Sequence, residues 1–421
     1  MQLVSRPSRI AGTVDIPGSK SHTVRAVAIA ALAEGTSTIR QPLVSADTEA
    51  AVRVYRALGA AIETGEAWTV QGVGGHVDAP EDVVDVGNSG TTLYVALASA
   101  CLGAGYTVFT GDDQIRRRPA GPLLEALEDL GATALSTRGN GCAPLVVRGP
   151  LTGGRVSIHC PTSQYLTSLL LSCPLAQGDT EIEVPLLNEQ PYVQMTLDWL
   201  DRQGIRYEAE GLQRFRIPGG QGYRGFDRSI PADFSSATFF LCAAALGEGE
   251  VLLRGLDMGD SQGDKAVVEM LRAMGADISE TPEGLRVRGC GLHGAELDLN
   301  ATPDALPALA VTAALADGET RLTNVPQARL KETDRLAVMA RELQRLGGSV
   351  TELEDGLVIR GGNLSGGHVD GHADHRVVMA LAVAGLYTDS PLTISTAEAI
   401  GVTFPSFVEL MASLGAEMEL G

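Results

Sequence analysis

The sequence contains 421 residues and carries a formal net charge of −20 at neutral pH, with 52 acidic and 32 basic side chains. At roughly 150 residues per domain, this length predicts two or three domains and excludes a single small module. Apolar residues make up 44% of the chain, which excludes intrinsic disorder, and the acidic excess opposes broad contact with nucleic acid or anionic lipid.

Targeting and metal-binding signals are not recognisable in the sequence. The first residues lack the basic-then-apolar layout of a secretory signal, and no apolar run has membrane-spanning length, so a cytoplasmic protein is expected. The six cysteines show neither a C-x-x-C pair nor a histidine at ligand spacing. We therefore predict buried free thiols and neither a disulfide framework nor a metal site.

Glycines that follow apolar, helix-like runs recur at intervals of about 70 residues. The two series are Gly59, Gly131, Gly204, Gly275, Gly347 and Gly415, and Gly35, Gly105, Gly178, Gly249 and Gly318. Each period reads as strand, helix, strand, helix and strand, with a left-handed glycine ending each helix. Six such periods predict an α/β protein of two domains, three periods in each, packed around shared helices.

The first motif in chain order is PGSKSHTVRA, in which a Pro-Gly-Ser turn precedes an Ala-rich helix. Lys20, Ser21 and Arg25 lie at the predicted start of this helix, where backbone N–H groups and two cations favour an anion. Ser21 and Arg25 are four residues apart and therefore share a helix face. The alternative for Lys20, one of only three lysines, is an ordinary solvated side chain.

The next two motifs are DVGNSGTTLY, residues 85–94, and the run of Arg116, Arg117 and Arg118 before a proline. The first is a Gly-rich turn that opens a helix, so its backbone N–H groups can approach an anion. The three arginines suggest a cationic rim in an otherwise acidic chain. A solvated turn is the alternative interpretation.

Two later helix starts carry hydroxyl, amide and charged side chains. Thr162, Ser163 and Gln164 enter an apolar helix in PTSQYLTSLLL, either as caps or as neutral donors to an oxyanion. In LKETDRLAVMA, Lys331 and Arg335 are four residues apart and are predicted to point the same way. Two like charges on one face cost free energy, so an anion is expected between them.

The remaining candidates precede two apolar helices in the C-terminal half. Asp304 precedes LPALAVTAAL, and Asp374, His375 and Arg376 precede VVMALAVAGL. Polar residues thus fall repeatedly at helix N-termini. This pattern is expected if several helices point at one cleft.

Taken together and in this order, the motifs resemble the enolpyruvyl transferase family, and within it the 5-enolpyruvylshikimate-3-phosphate synthases, over nearly the full length. The resemblance implies a two-domain inside-out α/β barrel of six βαβαββ repeats, three per domain. The implied boundaries are 19–231 for the first domain and 1–18 plus 232–421 for the second, with the active site in the cleft between them.

The resemblance also implies a reaction. The enolpyruvyl group of phosphoenolpyruvate would be transferred to the 5-hydroxyl of shikimate 3-phosphate, with release of phosphate and without a metal or an organic cofactor. The implied partners are small anionic substrates, not nucleic acid or membrane, and a monomer is expected.

Residue roles follow from the same resemblance, motif by motif. The implied catalytic residues are Lys20, Asp304 as the base for the 5-hydroxyl, and Glu332 as the acid for the enol methylene. The implied acceptor-binding residues are Lys20, Ser21, Arg25, Thr162, Ser163, Gln164, Glu189, Tyr192, Asp304, Gln327 and Lys331. The implied phosphoenolpyruvate-binding residues are Lys20, Gly90, Arg118, Gln164, Arg335 and Arg376.

Four positions depart from the family pattern. Tyr94 stands where the family usually has Arg, and Val402 stands where many members have Lys. Gln327 replaces an Asn. Glu189 replaces the Ser of the family's S-K-P-Y motif. A carboxylate at Glu189 would repel a substrate phosphate. These departures keep open an enolpyruvyl transferase acting on a different, unphosphorylated cyclic alcohol.

Two more distant alternatives also exist. A UDP-N-acetylglucosamine enolpyruvyl transferase is disfavoured, because the S-G-G-K-N motif and the loop cysteine of that branch are not present. A non-catalytic scaffold would bind phosphoenolpyruvate without releasing phosphate.

Overall fold

One or three strands stand between successive α-helices along the chain, and the computed structural model describes all residues from 1 to 421. The helices are α1 Lys20–Leu32, α2 Ala46–Ala57, α3 Gly90–Ala100, α4 Gly121–Asp129, α5 Ser163–Ser172, α6 Gln190–Arg202, α7 Phe234–Leu246, α8 Ala266–Ala273, α9 Leu306–Leu315, α10 Arg335–Arg345, α11 His375–Gly385 and α12 Phe407–Ser413. None of them combines the length and the apolar character needed to cross a bilayer.

The strands are short and numerous. They are β1 Gln2–Arg6, β2 Gly12–Asp15, β3 Thr36–Arg40, β4 Ala61–Glu63, β5 Ala67–Gln71, β6 Val84–Asp85, β7 Thr107–Thr110, β8 Thr133–Ser136, β9 Leu145–Arg148, β10 Gly154–Cys160, β11 Thr180–Leu187, β12 Glu208–Glu210, β13 Arg214–Ile217, β14 Asp227–Ser229, β15 Glu250–Arg254, β16 Asp277–Thr281, β17 Gly284–Arg288, β18 Glu296–Asp298, β19 Glu319–Thr323, β20 Ser349–Glu352, β21 Leu357–Arg360, β22 Gly367–Asp370, β23 Leu392–Ser395 and β24 Glu417–Leu420.

The strands form six four-stranded sheets that share one pairing pattern. In each sheet one strand at the edge pairs in parallel and the other pairings are antiparallel, as in the order β14-β3-β5-β4. A parallel pair requires a crossover connection, which explains the helices between the strands. The predicted α/β class is confirmed.

The chain divides into two compact units. The inserted unit is Gly18–Ile230, and the terminal unit combines Met1–Pro17 with Pro231–Gly421. Each unit contains six α-helices and three of the sheets. In the terminal unit, β1 lies between β23 and β24 and pairs antiparallel with both, so the two ends of the chain share one sheet.

Three helices in each unit are buried on nearly every side. In the inserted unit they are α1, α3 and α5, and in the terminal unit α7, α9 and α11. Their sequences are rich in Ala, Val and Leu on all faces, which is typical of helices that are covered all round. The other helices bury only part of their surface. The core of each unit is therefore built around three central helices.

The glycine markers are only partly left-handed. All six glycines of the first series have φ between 70° and 106°. In the second series only Gly35 and Gly318 have positive φ. At Gly249 an added Cβ would lie 2.1 Å from the backbone oxygen of Ile10, so close approach of the chain, not conformation, requires glycine there.

The thiol prediction holds for four of the six cysteines. All six are free, and Cys101, Cys160, Cys173 and Cys242 are buried. Cys142 is half-buried and Cys290 is exposed.

Candidate active site

Lys20 is the first residue of the central helix α1. Its ammonium lies 3.1 Å from a carboxylate oxygen of Asp47 in α2, and the two side chains are only 15% and 7% exposed. The interpretation of Lys20 as a solvated surface residue is therefore wrong. Asp47 was not predicted from the sequence, because nothing in its local pattern indicates a lysine partner.

Arg25 lies one turn after Ser21 on α1 and is buried. Its guanidinium donates to the backbone oxygen of Ser21 at 3.0 Å, to the hydroxyl of Thr196 at 2.9 Å, to the hydroxyl of Thr167 at 3.2 Å and to the backbone oxygen of Tyr192 at 2.9 Å. None of these partners is a carboxylate. Burial lowers the pKa of Arg25 to about 10, and Tyr192 partly opposes this shift. Arg25 is thus a desolvated cation held by neutral groups, which favours an anionic ligand nearby.

Gly90 and Arg118 are in close contact. Gly90 begins α3, and a Cβ added there would lie 2.2 Å from Nη1 of Arg118. The amide of Asn88 joins the two loops, since it donates to Asp112 at 2.6 Å and to Gln114 at 2.7 Å. The N-terminus of α3 and one cation of the Arg run are therefore held together.

Tyr94 does not extend into solvent. Its hydroxyl donates to the backbone oxygen of Pro119 at 2.9 Å, and the hydroxyl of Tyr165 donates to the same oxygen at 2.5 Å. The two rings pack edge to face, with centroids 5.1 Å apart. Both tyrosines thus hold the residue that follows Arg118.

Thr162 and Ser163 start α5 and contact Glu189. Oε2 of Glu189 accepts from the Thr162 hydroxyl at 3.1 Å, the Ser163 amide at 3.0 Å and the Ser163 hydroxyl at 2.8 Å. Glu189 has a left-handed backbone, with φ 59°, and its side chain is buried. Gln164 lies beside this group, and its buried Oε1 accepts no hydrogen bond. Tyr192 is half-buried one turn further along α6.

Asp304 is the centre of the candidate residues in the terminal unit. It lies in the short 3-10 helix Pro303–Ala305 that precedes the central helix α9. Its Oδ1 is 2.7 Å from Nη1 of Arg335 and 3.9 Å from Nζ of Lys331, and its Oδ2 is 3.1 Å from Nη2 of Arg376. Three cations therefore surround the expected base.

Lys331 and Arg335 do not share a helix face as predicted. Asp334 caps α10 by accepting from the amide of Ala337, so the helix begins at Arg335 and Lys331 lies before it. The anion expected between the two cations is nonetheless present, because the Asp304 carboxylate contacts both.

Arg335 is almost fully buried and contacts three carboxylates. It donates to Asp304, to Glu332 at 2.6 Å and twice to Asp374, at 2.8 and 3.2 Å. Burial alone would lower the pKa of Arg335, but Asp374, Glu332 and Asp304 raise it above its ordinary value. A guanidinium has five N–H donors, so these four bonds leave one on Nη1 for any ligand.

Asp374 and His375 begin the central helix α11 beside this cluster. Asp374 caps the helix by accepting from the amide of Arg376 at 2.9 Å. Burial would raise the pKa of Asp374, but Arg335 lowers it below the ordinary value. Burial also lowers the pKa of His375 to about 4, although Glu332 and Asp374 oppose the shift. The imidazole is therefore neutral at pH 7.

Gln327 offers an acceptor atom in the terminal unit. Its side-chain amide donates to the backbone oxygen of Asn300 at 3.0 Å, whereas its buried Oε1 accepts no hydrogen bond. A buried acceptor without a donor costs free energy, so a hydroxyl-bearing ligand suits this position.

Ser235 was not singled out from the sequence. Its hydroxyl accepts from Nη2 of Arg376 at 2.8 Å. The F-S-S-A pattern that contains it reads as an ordinary helix start. No group of three or more His, Cys, Asp or Glu side chains is arranged to hold a metal ion.

The candidates thus form several local clusters in the inserted unit and one larger cluster in the terminal unit. The inserted unit brings together Gly90 with Arg118, and Thr162 and Ser163 with Glu189, near the starts of its central helices. The terminal unit brings Glu332 and Asp304 together with three cations. In both units, buried cations and hydrogen-bond donors lie at helix N-termini, which is suited to small anionic ligands.

Comparisons with known proteins agree with this chemistry. A family model described as EPSP synthase (3-phosphoshikimate 1-carboxyvinyltransferase) matches residues 4–411. A 3-phosphoshikimate 1-carboxyvinyltransferase from Ruminiclostridium cellulolyticum is 53% identical over 421 residues, covering 100% of both chains. A protein of the same name from Acetivibrio thermocellus is 54% identical over 419 residues, covering 99% of each. A solved EPSP synthase from Acinetobacter baumannii has a TM-score of 0.84 and 30% identity, covering 99% of both chains.

Proposed function

The chain belongs to the EPSP synthase family, and we propose that it transfers the carboxyvinyl group of phosphoenolpyruvate to the 5-hydroxyl of shikimate 3-phosphate, releasing phosphate. The observation that carries this proposal is full-length similarity, above half identity, to relatives named for that activity. These names do not favour the alternative of an unphosphorylated acceptor.

The proposed chemistry is an addition followed by an elimination. The acceptor oxygen attacks C2 of phosphoenolpyruvate while its proton passes to a base and a second proton is added to C3, giving a tetrahedral ketal. Loss of phosphate and of one proton from the new methyl group then restores the carbon–carbon double bond. The addition needs a base at oxygen and an acid at carbon.

We assign the base to Asp304 and the acid to Glu332. The contacts of Asp304 with Arg335 and Arg376 support its role, because they hold the carboxylate in one orientation. Glu332 is 12% exposed and is oriented by Arg335. Lys20, with its ammonium fixed by Asp47, would contact the anionic groups of both substrates.

The remaining candidates would bind the two substrates. Phosphoenolpyruvate would contact Lys20, Gly90, Arg118, Gln164, Arg335 and Arg376. The acceptor would contact Ser21, Arg25, Thr162, Ser163, Gln164, Tyr192, Gln327 and Lys331, as well as Lys20 and Asp304. Fixed cations would also stabilise charge that develops on the way to the ketal.

Phosphate release tests the proposal. The purified protein is incubated with phosphoenolpyruvate and either shikimate 3-phosphate or shikimate, and free phosphate and the enolpyruvyl product are measured together. Stoichiometric release with the phosphorylated acceptor supports the proposal. Binding of phosphoenolpyruvate without any release indicates the non-catalytic scaffold and contradicts it.

A cytoplasmic location and a monomeric state remain predictions of the sequence. Size-exclusion chromatography with light scattering tests the second, for which a mass near 43.9 kDa is expected.

A further inference from the structure

The side chain of Glu189 does not cap the helix that it precedes, α6. It is the N-cap residue of α6, yet its carboxylate makes no capping hydrogen bond there. The residue is 2% exposed and has a left-handed backbone, with φ 59° and ψ 39°. This conformation is uncommon for a residue with a Cβ, and here it accompanies a side chain directed to a neighbouring helix.

The carboxylate instead occupies a group of donors at the start of α5. We call the Thr162 hydroxyl, the Ser163 amide and the Ser163 hydroxyl the α5 cradle. All three donate to Oε2 of Glu189, at 3.1, 3.0 and 2.8 Å. The first amides of a helix carry partial positive charge, so the cradle is suited to an oxyanion.

The donors of the cradle are fully used by this contact. A hydroxyl donates one hydrogen and a backbone amide donates one, so Thr162 and Ser163 supply three in all. The Thr162 oxygen additionally accepts from the amide of Gln164 at 3.4 Å. A ligand oxyanion can therefore gain these hydrogen bonds only by displacing the Glu189 carboxylate.

Coulomb repulsion adds to this competition. A phosphate group placed at the cradle beside a seated carboxylate would put two anions on the same donors in a buried environment. The three donor hydrogens already point at Glu189 Oε2, so a phosphate oxygen could accept them only in its place. Occupation by Glu189 and occupation by a phosphate thus exclude each other.

We propose that Glu189 is an internal competitor for the phosphate group of the acceptor and sets the affinity for the phosphorylated substrate. The inference rests on the proposed function, which assigns Thr162 and Ser163 to acceptor binding. Only molecules whose Glu189 carboxylate has left the cradle can bind the phosphate. The apparent dissociation constant is therefore the intrinsic constant divided by the fraction of such molecules.

A purely structural role for Glu189 makes a different prediction. If the carboxylate only caps α5 and links it to α6, its replacement lowers stability without improving acceptor binding. Measuring affinity and stability on the same variants separates the two roles.

The test compares Glu189→Gln and Glu189→Asn with the wild type. The first retains the side-chain length and removes the charge, and the second suits a left-handed backbone. The matched control is Glu183→Gln, which removes one negative charge from an exposed side chain on β11, 3.6 Å from Arg214. Calorimetry measures binding of shikimate 3-phosphate and of shikimate, and thermal melting measures stability.

We expect Glu189→Gln to bind shikimate 3-phosphate at least tenfold more tightly than the wild type, with shikimate binding changed less than twofold. The control should stay within twofold for both ligands. Unchanged or weaker binding of shikimate 3-phosphate by folded Glu189 variants overturns the inference.

A wild-type measurement keeps the test decisive if both variants unfold. In a crystal structure with shikimate 3-phosphate, Glu189 Oε2 should have left hydrogen-bonding distance of Ser163. A carboxylate still seated there overturns the inference. Failure of the proposed function is seen separately, as the lack of phosphate release by the wild type with both substrates.

Discussion

Arg335 and Asp374 form a bidentate ion pair in which both side chains are buried, with Nε–Oδ2 and Nη2–Oδ1 distances of 2.8 and 3.2 Å. Because Asp374 also caps α11, the pair fixes the start of α10 to the start of α11. The positions of Arg335 and Asp374 at these two helix starts thus depend on one salt bridge.

We predict that Asp374→Asn lowers the free energy of unfolding of the terminal unit by about 3 kcal/mol, because it leaves a buried guanidinium short of one of its charges. This loss is at the low end of the range for breaking a buried ion pair, because Glu332 and Asp304 still neutralise Arg335. Denaturant unfolding measures it. The matched control is Asp227→Asn, which breaks a bidentate but exposed pair with Arg40 and should change stability little. Equal losses in the two variants would contradict the role of burial.

The neutral state of His375 predicts a pH dependence of stability. The pKa of His375 falls from 6.5 to about 4 in the folded protein, chiefly through burial, while Arg376 and Arg335 also lower it and Glu332 and Asp374 oppose them. The unfolded chain therefore binds more protons between these values. As pH falls from 6.5 toward 4, this difference lowers the free energy of unfolding by about 3 kcal/mol in total. Above pH 6.5 the imidazole is neutral in both states and the loss does not occur.

Unfolding measured at several pH values tests this prediction. His375→Gln should flatten the slope of stability against pH between 4 and 6.5, because it removes the titrating group. His76→Gln, at an exposed position, is the control and should leave the slope unchanged. A wild-type protein equally stable at pH 4.5 and 7 would refute the prediction.

The contact between Gly90 and Arg118 predicts a substrate-specific defect. In Gly90→Ala the new methyl group would overlap Nη1 of Arg118, so the guanidinium must move. The KM for phosphoenolpyruvate should rise roughly ten- to a hundredfold, since misplacement by about 1 Å can cost that much. The KM for the acceptor should change far less.

Gly121→Ala is a matched control for this prediction. Gly121 also begins a helix, and a Cβ added there meets nothing within 4 Å. Its kinetic constants should equal those of the wild type. Similar kinetics in the two alanine variants would show that Arg118 does not bind phosphoenolpyruvate.

The proposed base predicts a loss in turnover. Asp304→Asn retains the shape of the side chain but cannot take the acceptor proton, so kcat should fall by about 10²- to 10⁴-fold. Because Asp304 also contacts Arg335 and Arg376, melting temperature and phosphoenolpyruvate binding are measured alongside phosphate release. Asp277→Asn, at an exposed residue of β16, is the control. A kcat within tenfold of the wild type would rule out this assignment.

The helix starts could be predicted from the sequence because capping is local. Thr162 and Asp374 each accept from an amide two residues later, and such caps are recognisable in a single sequence. The α/β class followed from the same signals together with the spacing of the glycines. The prediction that Lys331 and Arg335 share a helix face is wrong, because Asp334 caps the helix and Lys331 lies before its start.

Partners distant in sequence could not be predicted. Glu189 lies 26 residues from Ser163, and Arg335 lies 39 residues from Asp374. A single sequence carries no signal for such pairings, which depend on how helices pack. Even for Glu189, recognised as unusual, the sequence indicated repulsion of a ligand but not the donors that its carboxylate already engages.

The position of β1 has a consequence for how the molecule is made. This strand pairs with β23 and β24, which lie near the C-terminus and are therefore synthesised last. The inserted unit is a continuous stretch and can acquire its structure while the ribosome is still translating the rest, because domains fold as units during synthesis. Strand β1 therefore has no pairing partner until β23 and β24 have been translated.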